Sequence, residues 1–232
     1  MDKIEQLKLE YNNKKFKIKE RLNQFQKFFD ESYSWFYRNS ELILLPVEIK
    51  DDYRLFEELA FCIFTANTSA EMGAKAVDAV RNVLINGTAD DMTRRLEGIY
   101  RFTNVRPAHI IHTRNYLKNS LNFKLKNKIN TFKNKDELRD FFALNKDIKG
   151  IGLKEASHFL RNIGFRGYAI LDKHIINSLH EFDVSKTNEK PKNNKEYLEI
   201  EQKFIDFSKE IGIDMDELDL LLWSRKNGRI LK

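Results

Sequence analysis

Cysteine, proline and glycine are all scarce in this chain. The single cysteine among 232 residues, Cys62, excludes an intramolecular disulfide and any cluster held by four thiolates. Set in the run Phe61-Cys62-Ile63-Phe64, it reads as a small buried side chain. With only 3 prolines and 9 glycines against 18 phenylalanines, obligatory turns are few and a helical protein is favoured. No apolar run approaches the roughly 18 residues that span a bilayer. Met1 to Asp30 lacks an apolar signal core. These absences point to a soluble protein of a reducing, intracellular compartment, with no membrane partner. What is abundant is charge: 33% of residues are ionisable and the net charge is +6, which suits a polyanionic partner without proving one.

Apolar spacing predicts helices almost throughout, and the expected fold class is all-α. Leu22, Phe25 and Phe29 share a face that Phe28, Trp35 and Phe36 continue, so residues 1–39 read as helix, with a break at Pro46. Asp51 or Asp52 can cap the next helix, through Ile63, and Ser69 another. Asn86-Gly87 marks a turn, and helices follow near 89–97 and 107–120. Residues 113–135 carry Arg114, Lys118, Lys124, Lys126, Lys128, Lys133 and Lys135 with no acid, which reads as a solvated loop or a phosphate-contacting surface. An amphipathic stretch at 136–144 leads to a tight turn at 147–152 and a helix over 153–163. A polar loop at 183–195 precedes helices at 195–210 and 214–226. No strand pattern and no repeat stands out. The organisation expected is an N-terminal segment, 1–45, packing with the C-terminal part; a helical subdomain, 46–135; and a second, 136–232, with a cleft between the two.

The chemistry concentrates in Ile148-Lys149-Gly150-Ile151-Gly152-Leu153-Lys154-Glu155 and in Asp172. A helix, a glycine turn and a second helix form a helix-hairpin-helix. Gly150 and Gly152 remove side chains where backbone N–H groups can approach a phosphate, and the start of the second helix adds a positive dipole end. Lys149 lies in the same turn. Such contacts hold nucleic-acid backbone without reading sequence. Lys154 sits in the first turn of the second helix, where the dipole and any burial favour the neutral, nucleophilic amine. Asp172 precedes a helix, and capping is its simplest role. A carboxylate held there can also orient an amine and stabilise a positively charged sugar.

Glycine hairpin, Lys154 and Asp172 together resemble the HhH-GPD superfamily of base-excision DNA glycosylases. The run Phe61 to Asn67, Arg101-Phe102, the stretch Lys149 to Gly164, and the ending Asp219 to Trp223 with Asn227 to Lys232 are most similar to its archaeal type-2 8-oxoguanine branch. Lys149 departs from the proline common at that place. The resemblance covers roughly residues 45–232, and the lone cysteine sets the chain apart from the iron–sulfur members. It implies a monomer acting on double-stranded DNA that contains 8-oxoguanine, with no cofactor and no metal. The damaged base would flip into a pocket. Lys154 would attack the sugar to give a Schiff base, and β-elimination would cut the strand, with Asp172 assisting. Phe102 and Trp223 are then candidates to stack on the purine and His158, one helical turn after Lys154, to line the pocket. The α-carboxylate of Lys232 is the candidate acceptor for the N7 proton that distinguishes 8-oxoguanine from guanine. Two other readings stay open: a related glycosylase for another damaged base, and a non-catalytic helix-hairpin-helix DNA-binding module.

Overall fold

A computed structural model describes residues 2–230. It opens with one long helix, α1 (Lys3–Asp30), followed by a two-stranded antiparallel hairpin, β1 (Tyr33–Arg38) and β2 (Glu41–Pro46). Ten α-helices follow among the described residues: α2 (Asp51–Thr65), α3 (Ala70–Val80), α4 (Ala89–Leu96), α5 (Val105–Leu121), α6 (Leu125–Asn130), α7 (Lys135–Ala143), α8 (Leu153–Asn162), α9 (Lys173–Glu181), α10 (Asn194–Ile211) and α11 (Met215–Asn227). Helix α4 packs against α3 and α5. Among the described residues no helix is long and apolar enough to cross a membrane.

The hairpin corrects the expectation of unbroken helix to residue 39. Asn39 and Ser40 both adopt positive φ, 50° and 64°, the geometry of a two-residue turn whose twist matches that of paired strands. No glycine marks that turn, and the aromatic run Tyr33-Ser34-Trp35-Phe36-Tyr37 satisfies helical spacing as well as strand alternation. Pairing decides the matter: Trp35 faces Leu44 and Tyr37 faces Leu42. Trp35 turns inward and meets Phe25 of α1 edge to face, ring centres 5.8 Å apart.

The basic stretch 113–135 is also not a loop. It comprises the end of α5, all of α6 and the approach to α7. Several of its charges have partners inside the molecule: Arg114 donates to the Leu84 carbonyl at 3.0 Å, Lys126 pairs with Asp51 at 2.8 Å, and Lys135 donates to the Gly167 carbonyl at 3.0 Å.

Helix α2 is the hub. Leu55, Phe56 and every residue from Leu59 to Phe64 are buried, so its second half is apolar all round, and the helix is enclosed by α3, α5, α6 and α8. Its cap is the Lys50 backbone, which leaves Asp51 and Asp52 in the first turn free to bind Lys126. Helix α1 closes the opposite side against α8 and α11. There Tyr11 donates a short hydrogen bond to the Glu217 carboxylate and Lys14 donates to Ser224 Oγ at 3.0 Å.

Arg54 joins the first elements. Only 1% exposed, it donates to the Phe28 carbonyl at 2.7 Å and the Tyr33 carbonyl at 2.5 Å, and pairs with Asp51 at 2.5 Å. It thereby ties the end of α1, the start of β1 and the start of α2 together. Arg54→Met leaves the Phe28 and Tyr33 carbonyls without this donor and Asp51 with Lys126 alone, and should lower stability by about 3 kcal/mol. Urea unfolding with an unchanged slope would measure this; a loss below about 1 kcal/mol would mean the guanidinium is not the joint.

Candidate active site

Helices α7 and α8 and the turn between them form the helix-hairpin-helix. Ile148 and Ile151 are buried and pin the turn to the core, while Lys149 points outward and its N–H donates to Thr113 Oγ1 at 3.0 Å. The two glycines, alike in sequence, do different jobs. Gly150 has φ +78°, and a Cβ there would lie 2.7 Å from His109 Nδ1 and 3.3 Å from the Ile63 side chain. It is required by both conformation and space. Gly152 is extended, with φ −110°, exposed, and has room for a Cβ. It caps α8, and its N–H donates to Glu155 Oε2 at 3.3 Å.

Lys154 follows after Leu153, with a quarter of its side chain exposed; its Nζ lies 3.2 Å from Glu155 Oε1. The amine is therefore ion-paired, and its partner is the adjacent glutamate rather than Asp172. Glu155 went unremarked in the sequence except as a flanking residue. The available signal was its place three residues after the capping glycine, where a carboxylate reaches back to the cap N–H.

Asp172 caps α9: its Oδ1 accepts from the N–H groups of His174 at 2.8 Å and Ile175 at 2.9 Å. What fixes Asp172 is the extended segment before it. Tyr168 to Leu171 is buried yet belongs to no sheet, so side chains must satisfy its backbone. Glu201 accepts from Ala169 N at 3.0 Å, and Asp219 from Ile170 N at 3.2 Å. Tyr197 donates to the Ala169 carbonyl at 2.6 Å and accepts from Leu171 N at 3.4 Å. The two carboxylates are themselves paired, Glu201 with Arg139 at 2.7 Å and Asp219 with Arg161 at 2.9 Å. Burial pushes the Asp219 carboxyl up to about 7, while Arg161 and the Ile170 N–H pull against that.

Lys154 and Asp172 stand where two clefts meet; Thr65, Thr68 and His174 line both clefts with them. One cleft, about 460 Å³, continues past His158, Arg161 and Asp219 to Trp223 and Arg229. That volume lies within the range of roughly 300–1,000 Å³ usual for small-molecule sites. The other, about 480 Å³, runs past Lys173 to Lys190, Lys192 and Tyr197. His158 is buried and meets Phe61 edge to face, ring centres 5.6 Å apart. Trp223 is half-buried at the cleft wall. Phe102 is not brought into either lining: it lies beside the guanidinium groups of Arg101 at 4.3 Å and Arg106 at 5.3 Å, with Tyr100 next to it. Those arginines donate to the Asn67 and Ala66 carbonyls. Lys232 lies outside the described residues. Among those residues no group of three His, Cys, Asp or Glu is arranged to hold a metal.

The sequence model of the Ogg-HhH family, described as 8-oxoguanine DNA glycosylase, matches residues 46–213. The chain belongs to the 8-oxoguanine DNA glycosylase family. An 8-oxoguanine DNA glycosylase/AP lyase of Methanocaldococcus jannaschii is 35% identical over 184 residues, covering 79% of this chain and 85% of the relative. One from Fusobacterium nucleatum is 34% identical over 93% of this chain and 100% of its own length. Among solved structures, the Methanocaldococcus jannaschii 8-oxoguanine glycosylase/lyase in complex with a 15mer DNA containing 8-oxoguanine superposes with a TM-score of 0.82 at 30% identity, over 99% of both chains.

In this glycosylase-family fold the two hairpin glycines should separate experimentally. Gly150→Ala meets a strained φ and a close His109, and is expected to lose about 1–3 kcal/mol of stability and to weaken duplex binding. Gly152→Ala is expected to stay within about 1 kcal/mol of wild type. Thermal unfolding and fluorescence-anisotropy titration with a duplex would measure both, and equal losses at the two positions would contradict the distinction.

Proposed function

We propose that this chain excises 8-oxoguanine from duplex DNA and then cleaves the abasic strand by β-elimination through a Lys154 Schiff base, acting as a monomer within the cell. The observation that carries the reading is the convergence of Lys154, in the first turn of helix after a glycine hairpin, and Asp172 at the junction of two clefts. In this reading the lobes 46–135 and 136–232, with α1 packed on the second and β1 against α3 of the first, hold the duplex across that junction. The hairpin N–H groups take a backbone phosphate, and the neighbouring cleft with Lys173, Lys190 and Lys192 follows the strand. The flipped base enters the other cleft beside Trp223, whose face can contribute about 1–3 kcal/mol by stacking.

Lys154 Nζ, as the free amine, attacks C1′. The glycosidic bond breaks with its electron pair going to the base, which leaves and takes up a proton. The nitrogen loses its own protons as the sugar ring opens to the imine. Removal of a C2′ proton then expels the 3′ phosphate, and water releases the lysine. Asp172 uses one oxygen to cap α9, which leaves the other to stabilise positive charge on the sugar or to take the amine proton. The carboxylate is rigid because the segment before it is held on both sides.

Borohydride added to wild type with an 8-oxoguanine duplex should trap a covalent adduct that Lys154→Gln abolishes. Asp172→Asn should slow single-turnover excision by about 10²–10⁴-fold with little change in duplex affinity. Duplexes carrying an oxidised pyrimidine or an alkylated purine should react far more slowly. A faster reaction on either would reassign the substrate, and no adduct with any of them would reduce the chain to a DNA-binding module.

A further inference from the structure

One carboxylate touches both halves of the machinery. Glu155 Oε1 lies 3.2 Å from the Lys154 amine, and Glu155 Oε2 accepts the Gly152 N–H at 3.3 Å. Both side chains are shielded, 16% exposed for Glu155 and 25% for Lys154. Gly152 is the hairpin position with an exposed, extended backbone, and the atom nearest a Cβ built there is Glu155 Oε2 at 3.5 Å. The glutamate oxygen thus covers the N–H at the start of α8.

We propose that Glu155 is a positioning residue that holds Lys154 in the DNA-free protein and is displaced from it by a DNA phosphate at Gly152. This rests on the reading of Lys154 as nucleophile. A phosphate oxygen and a carboxylate cannot share one N–H: they compete for the donor and repel each other. A phosphate also supplies the negative charge that the helix end favours, so α8 loses nothing when Glu155 leaves. Once the carboxylate swings away, its hold on the amine ends and Lys154 is free to turn towards Asp172 and the sugar. Before DNA arrives, the paired ammonium has no lone pair to offer to stray aldehydes. Binding of backbone and release of the nucleophile become one event.

Glu155→Gln separates these roles, because its amide oxygen still accepts the Gly152 N–H while the charge beside Lys154 is gone. In the DNA-free protein, reductive methylation of Lys154 with formaldehyde and cyanoborohydride at one fixed pH, read by peptide mass spectrometry, should run several-fold faster in the variant. On the 8-oxoguanine duplex, single-turnover borohydride trapping should run at nearly the same rate in the two proteins. Equal methylation rates without DNA would show that Glu155 does not hold the amine. The same several-fold gain on the duplex would show that no release occurs. A second measurement needs no variant: the Glu155 carboxylate ¹³C resonance of wild type should move when an undamaged duplex is added, and a fixed resonance overturns the proposal. Failure of the parent reading looks different, since wild type would then trap no adduct at all.

Discussion

Buried backbone must find hydrogen-bond partners, and the segment Tyr168 to Leu171 has no strand beside it to supply them. The arrangement around the cleft answers that requirement. Helix α10 contributes Tyr197 and Glu201, and helix α11 contributes Asp219, so two helices distant in sequence are drawn onto one extended stretch. Arg139 of α7 and Arg161 of α8 neutralise the two carboxylates and bring the helix-hairpin-helix onto the same stretch. Asp172 is the next residue along. Its position is therefore set by the hydrogen bonding of its neighbours as much as by its own capping of α9.

These buried ions contribute geometry more than net stability. Desolvating an arginine and a carboxylate offsets much of their attraction, whereas removing one partner leaves an uncompensated charge. Arg139, Arg161 and Arg54 each bridge elements that apolar packing alone would leave free to slide. Apolar packing supplies the bulk of the driving force through α2, and the ion pairs select one register of helices around it. A site that must place an amine against a sugar carbon needs such a register, since small misplacements lose large factors in rate.

Much of this was legible in the chain. The helices from Asp51 onward, the turn at 147–152, the cap at Asp172 and the apolar anchors Ile148 and Ile151 are local signals, and local signals survive in the fold. The hairpin after α1 was not legible, because an aromatic run with no turn glycine fits two periodicities and only pairing with Glu41–Pro46 chooses between them. The basic stretch misled for a related reason: charge counts ignore partners, and Asp51 and the Leu84 and Gly167 carbonyls lie far away in sequence. Phe102, among 18 phenylalanines, is in the lining of neither cleft.

The sequence by itself determined the family, the helical class and the pair of residues on which the proposed chemistry turns, because glycine, lysine and aspartate act there through intrinsic backbone freedom, charge and capping. Tertiary structure decided how they meet. It made Gly150 indispensable through the close approach of His109 and left Gly152 open. It gave Lys154 a partner in Glu155 and placed Trp223 at the cleft wall. Those outcomes depend on distances between elements, which spacing along the chain does not encode.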